Sequence, residues 1–331
     1  MYRRGEHAKR IIAGKRTLFT TLVVCILCWL AGYGEGTGFP LVPSSRETPL
    51  WKYICHLIAN RETAYSIGFF LMLGAAFLLH RINYVSGLIR EKTVFPFLFF
   101  MLFTSTNPEF FPLEPTSLVI FCLILGIYQL FRSYHDENAL RKSFDWAFLI
   151  GTGSLLWIHI LWFVPLFWFG MYHLRSLGIR SFLASVFGLL AVYWLALGWC
   201  VWQNDFTVFT QPFRALAEFH PVNRVTWSFA GTGYLALLTL IVSLNILTHE
   251  HADNLRTREY LSFLIVFAIE SFLLYFLYDH SEFLAAASIP ASILVGHFFT
   301  VAWNKWTSWL FYFTILFFIC ILFIRLWWNY L

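Results

Sequence analysis

The apolar residues of this chain arrive in uninterrupted blocks, most of them 17 to 25 residues long. A helix rises about 1.5 Å per residue, so such a block reaches across the ~30 Å hydrocarbon core of a bilayer. Charge is too scarce to support any other reading. Only 12% of the 331 residues are charged and 59% are hydrophobic, whereas a soluble domain averages about 25% charge. No polar stretch exceeds about thirty residues, so a separate water-soluble catalytic domain has no room. The expected fold is an all-α polytopic transmembrane helical bundle of about 10–11 membrane segments, short helical hairpins included, in one domain over residues 1–331.

Hydropathy places the segments at about 17–33, 63–80, 93–104, 117–131, 146–170, 182–202, 229–247, 261–278, 283–303 and 308–328. Two blocks are irregular. Segment 93–104 is short and ends in Ser105-Thr106-Asn107-Pro108-Glu109-Phe110-Phe111-Pro112, where two prolines and a polar cluster must break a helix. It is expected to turn back at the outer face. Block 144–174 contains His159 and Pro165 and crosses either once or as a hairpin of two short helices. With the N-terminus inside, the hairpin places 17 of the 23 basic residues inside, against 15 for a single crossing. The positive-inside bias favours the hairpin, and its turn near residues 157–162 must then be buried in protein, because bare backbone cannot face lipid.

Six basic residues, Arg3, Arg4, Lys9, Arg10, Lys15 and Arg16, precede the first span. They read as an orientation signal for an uncleaved signal anchor with a cytoplasmic N-terminus, not as a nucleic-acid patch. The expected location is the bacterial inner membrane, with the lipid bilayer as partner. The six cysteines lie mostly in apolar runs and form no disulfide framework, and Cys25-Ile-Leu-Cys28 reads as packing. No motif names a cofactor. The chain lacks H-E-x-x-H, a complete phosphate loop, G-x-S-x-G and the histidine clusters of membrane di-iron oxygenases. His249-Glu250-His251 reads as a solvated loop, since histidines two apart do not share a helical face.

Under this topology nine of the eighteen acids gather in outer loops, among them Glu35, Glu109 and Glu218, accompanied by Arg214 and Arg224. Such a set is either a solvated rim or a substrate site. Glu270 stands mid-span, where an ionisable group costs about 2.5–3.5 kcal/mol to insert and must face protein or water. It is either a protonated glutamate hydrogen-bonded to a neighbouring helix or a group that handles substrate or protons. His159 is a packing hydrogen-bond donor or a substrate contact.

The run Phe144-Asp145-Trp146-Ala147-Phe148-Leu149-Ile150-Gly151, followed by Leu174-Arg175-Ser176 and Arg180, resembles an uncharacterised family of polytopic inner-membrane proteins of the Bacteroidetes. The likeness continues through Asn254-Leu255-Arg256-Thr257-Arg258-Glu259-Tyr260 and Ile289-Pro290-Ala291-Ser292, and covers about residues 90–195 and 254–316. A carotenoid-oxygenase label attached to such proteins conflicts with the missing histidine motifs. The order of short helix, Asn-Pro turn, returning helix and Gly-containing hairpin is also similar to the C-type glycosyltransferases that use polyprenyl-phosphate sugars. That resemblance implies Glu35 as general base or metal ligand and Arg214 or Arg224 on the lipid phosphate. The chain departs from the pattern in having no Asp in its first outer loop and no Asp-x-Asp.

Three functions follow as expectations. The first is an envelope glycosyl- or lipid-headgroup transferase with a polyprenyl-phosphate-linked substrate, using Glu35 with Glu109 and Glu218 as further acids and Arg214 and Arg224 on phosphate. The second is a transporter or lipid flippase switched by Glu270. The third is a non-catalytic membrane scaffold whose aromatic-rich helices dock a partner.

Overall fold

The computed structural model describes residues 14–36, 38–39, 41, 49–58, 60–89, 93–204, 213, 216, 227–248, 254–302 and 304–328. Among them the regular elements are helical: α1 (Lys15–Glu35), α2 (Pro49–Leu57), α3 (Arg61–Ser86), α4 (Phe95–Ser105), α5 (Pro115–Arg132), α6 (Leu140–Ser154), α7 (Phe163–His173), α8 (Ile179–Gln203), α9 (Trp227–Thr248), α10 (Leu255–Tyr278), α11 (Ser281–Val301) and α12 (Lys305–Trp328), with 3-10 turns at Pro108–Phe110 and Ile158–Trp162. Eight of these, α1, α3, α5 and α8–α12, are long and apolar enough to cross a membrane, and Phe95–Ser105 and Ile158–His173 are shorter apolar helices. The chain is a multi-pass membrane protein with an all-α bundle fold.

The chain folds as two compact units. The first comprises Met1–Phe39, Tyr65–Leu113 and Pro221–Leu331, and the second Pro40–Ala64 and Glu114–His220.

The first unit is built around α11. Its sequence, rich in Ala, Ser and Gly, lets neighbours approach closely, and Phe283 to Thr300 are all buried. At Gly296 an added Cβ would stand 3.1 Å from Pro96 of α4. All eleven residues of α4 are buried as well, as expected for a helix apolar on every side. At 1.5 Å per residue α4 is about 16 Å long, roughly half a bilayer core. Its Phe95, Phe99 and Phe103 recur every four residues and form one aromatic seam. Phe99 stacks on Phe299 of α11 at 5.5 Å, Phe95 meets Phe311 of α12 at 5.3 Å, and Phe103 meets Phe318 at 5.0 Å. Tyr234 of α9 ties to α12 through a 2.8 Å hydrogen bond with Thr314.

In the second unit, residues 140–173 form the hairpin that the charge distribution favoured. The segments that flank the hairpin meet: His135 N donates to Leu174 O at 3.0 Å, Ser133 Oγ donates to Ser176 Oγ at 3.1 Å, and Ser181 Oγ of α8 donates to Glu137 O at 2.5 Å. Between the two arms Trp146 stacks on Phe167 at 4.9 Å. The turn consists of buried Leu156, Trp157, Ile158, His159 and Ile160, which meets the requirement that irregular backbone at membrane depth be enclosed by protein. Helix α8 lies against α6 where Gly188 faces the Phe144 carbonyl, and an added Cβ there would stand 2.6 Å from that oxygen. Outward, α8 exposes Trp194, Trp199 and Trp202, apolar rings suited to lipid and its interface.

Two elements differ from the hydropathy reading. Helix α6 starts at Leu140, six residues before the apolar run, because intrahelical hydrogen bonding does not require apolar residues. Lys142 Nζ donates to Arg132 O and Asp136 Oδ2 at 2.8 and 2.9 Å, which anchors that polar first turn. Helix α2 lies within a segment read only as an outer loop. Its signal was present in Trp51, Ile54, Cys55 and Ile58, a helical apolar spacing too short to register as a span.

Candidate functional site

In the first unit the best-formed site lies where α1 ends and α4 breaks. Helix α1 stops at Gly36, which adopts the left-handed conformation at φ 74° and donates its N–H to Gly32 O at 3.0 Å. A residue with a Cβ is disfavoured there. The last turn is fixed from the side as well. Tyr65 Oη donates to Gly32 O at 3.0 Å, and Trp29 Nε1 donates to Ser105 Oγ at 3.3 Å. Trp29 also lies 4.5 Å from the Phe111 ring. This clamp holds Glu35, whose Oε2 is buried without a hydrogen-bond partner among the described residues. The side chain as a whole is only partly buried, so the carboxyl group stays within reach of a proton, a water or a ligand.

The break after α4 comes to the same end. Gly38, three residues past Glu35, packs directly on the Phe111 carbonyl, and Gly68 of α3 packs on the Pro112 carbonyl, each so closely that a Cβ has no room. Phe111 is two residues past Glu109, so Glu35 and Glu109 share one end of the unit, with Glu109 exposed on its 3-10 turn. Asn107 Oδ1 accepts the Glu109 N–H at 3.3 Å and holds that turn. The α10–α11 turn adds Asp279, His280 and Glu282, with His280 Nδ1 3.9 Å from Glu282 Oε2.

Beneath the break is a narrow cavity of about 20 Å³, space for about one water centre. Thr106 and Asn107 of the break, Thr232 of α9 and Ser288 of α11 supply its polar lining, and Phe103 and Phe318 close it. These four polar residues were not singled out as site residues by the sequence reading, which used Ser105-Thr106-Asn107 only as a helix breaker. For Thr106 and Asn107 the signal was the polar run itself, since enclosed hydroxyl and amide groups must satisfy one another or a ligand; Thr232 and Ser288 sit singly in apolar spans and gave none.

Of the other expected site residues, Glu270 does not join this cluster. Glu270 lies on α10 eight residues before its end, about 12 Å along the axis. It is half-buried beside exposed Ile269, Leu273 and Leu277 and makes no hydrogen bond or ion pair among the described residues. None of the residues lining the cavity comes from α10. His159 belongs to the second unit, buried at the hairpin turn with its ring 5.6 Å from Trp157. Glu218, Arg214 and Arg224 lie outside the described residues, as does His249-Glu250-His251. Among the described residues no three His, Cys, Asp or Glu side chains come together to hold a metal ion. The chain matches no protein-family model, no curated protein and no solved structure.

Proposed function

We propose that this protein is an envelope glycosyl- or lipid-headgroup transferase acting on a polyprenyl-phosphate-linked substrate, with the Glu35 end as its reaction face. The carrying observation is that Glu35 Oε2, at the same end as Glu109 and the broken helix, is buried without a hydrogen-bond partner among the described residues. A carboxylate held by its backbone clamp and spared other hydrogen bonds suits general-base work on an acceptor hydroxyl. Glu109, exposed on the adjoining turn, is a second acid within the same rim, and Glu218 of the 203–228 loop is proposed as a further acid on its sequence position alone. Arg214 and Arg224, from that loop, are assigned to the lipid phosphate. The site faces the outer side of a bacterial inner membrane, with the basic N-terminus in the cytoplasm, and the likeness in helix order to the C-type glycosyltransferases supports this reading. In cells lacking the native gene, the Glu35→Gln protein should insert normally yet leave surface glycan synthesis at background. Full glycan restored by that variant would refute the assignment.

A second reading, a transporter or lipid flippase, rests on Glu270. An acid about 12 Å below a helix end, without a hydrogen-bond or ion-pair partner among the described residues, is a natural protonation switch. It requires pH-dependent substrate movement in proteoliposomes that Glu270→Gln removes, and undiminished flux in that variant excludes it.

A further inference from the structure

At the end of the first unit opposite Glu35, helices α1, α4 and α12 run side by side around a lateral groove of about 380 Å³. Leu98 and Leu102 of the short helix α4 form its floor, and Phe311 and Ile315 of α12 one wall. The α1 wall is graded in polarity. Thr17, Thr20 and Thr21 line it near the helix start and Val24 lines it one turn deeper. The Thr20 and Thr21 hydroxyls donate back to Thr17 O at 2.9 and 2.8 Å, so their protons are committed within the helix and recognition of an anion falls to other groups.

Two cations flank the lining residues along the chain. Arg16 directly precedes Thr17, and Lys305 begins the α12 wall six residues, or about 9 Å, before Phe311; both are exposed. No acid lines the groove, and the first sixteen residues of the chain carry six basic groups against the single acid Glu6. An apolar trough that becomes polar toward a pair of cations matches one membrane component, a lipid whose phosphate is not balanced by its own ammonium.

We propose that this groove is a binding site for an anionic glycerophospholipid. One acyl chain lies along Leu98, Leu102, Phe311 and Ile315, and the phosphodiester is held by Arg16 and Lys305. The site is separate from the Glu35 end and stands whether or not the transferase reading does.

Delipidated full-length protein would be titrated with phosphatidylglycerol and with phosphatidylcholine of the same acyl chains, and bound lipid counted by native mass spectrometry. Phosphatidylglycerol should be retained at lower concentration. Each neutralised cation should weaken its retention about fivefold, so R16Q/K305Q should weaken it about twenty-five-fold and leave phosphatidylcholine unchanged. Val24→Trp, which fills the groove, should lower retention of both lipids. Equal retention of the two lipids by the native chain, or phosphatidylglycerol held equally well by R16Q/K305Q, would reduce the groove to ordinary annular contact and overturn the proposal. Should Val24→Trp fail to fold, the charge variant decides alone, because Arg16 and Lys305 are exposed and carry no packing.

Discussion

Among the described residues two short apolar helical segments are interrupted by irregular backbone, one after α4 and one between α6 and α7, and the two interruptions are built differently. In the first unit, the break after α4 carries Thr106 and Asn107 into a small cavity and brings exposed Glu109 to the end where Glu35 is clamped. In the second, the turn between α6 and α7 is enclosed by Leu156, Trp157, Ile158 and Ile160, and the segments that flank the hairpin are joined by hydrogen bonds such as Ser133 to Ser176. Both obey the rule that irregular backbone in a membrane must be buried in protein or line a cavity. One takes the cavity option and concentrates polar chemistry. The other takes the burial option and serves packing. Interrupted helices thus mark functional sites only where the freed polar groups converge on space.

This contrast can be broken by substitution. The largest effect is expected at Gly68→Val, because the new side chain meets the Pro112 backbone, which cannot yield without moving the break. A loss of about 3 kcal/mol, read as a large fall in thermal stability in detergent, is the expected outcome, together with loss of activity. Ser133→Ala should be milder, about 1 kcal/mol for one buried hydrogen bond, loosening the segments that flank the hairpin as seen by faster proteolysis between residues 133 and 181. Gly153→Ala at the hairpin turn should cost less still, under about 1 kcal/mol, because the severe contact of its new Cβ is with the Cδ1 tip of Ile160, at 2.7 Å, which can turn away, and Cys122 Cβ at 3.3 Å needs to give only slightly. Asn107→Leu removes the bond that holds the Glu109 turn, so it should cost about 1 kcal/mol, well short of Gly68→Val, while removing activity. If it instead destabilises as much as Gly68→Val, the break is packing after all and the contrast between the two interruptions collapses.

Much of the fold was legible from sequence because crossing a bilayer imposes length and apolarity on consecutive residues. The block after Leu261 and the helix α10 end at the same Tyr278, and the prolines and polar run at 105–112 end α4 at Ser105. The 144–174 block was legible only through charge, and the meeting of Leu174 with His135 resolved it as a hairpin. Of the site, Glu35 and Glu109 were visible as acids near span ends. Their common end was not, because Gly38 on Phe111 and Gly68 on Pro112 are contacts between residues far apart in the chain.

Helices α8 and α11 mark the limit most clearly. By composition both are simply apolar spans, yet 22% of the first span and 94% of the second are buried in the protein. Hydropathy measures transfer out of water, and lipid and protein interior are alike in that respect. The sequence by itself therefore determined which segments leave water, how long they are and where they must break. Only the tertiary structure decided which of them face lipid, which face one another, and which polar groups meet at the Glu35 end, because those choices depend on shape complementarity between distant segments: the small residues of α11 admit neighbours that the Trp and Leu side chains of α8 keep away.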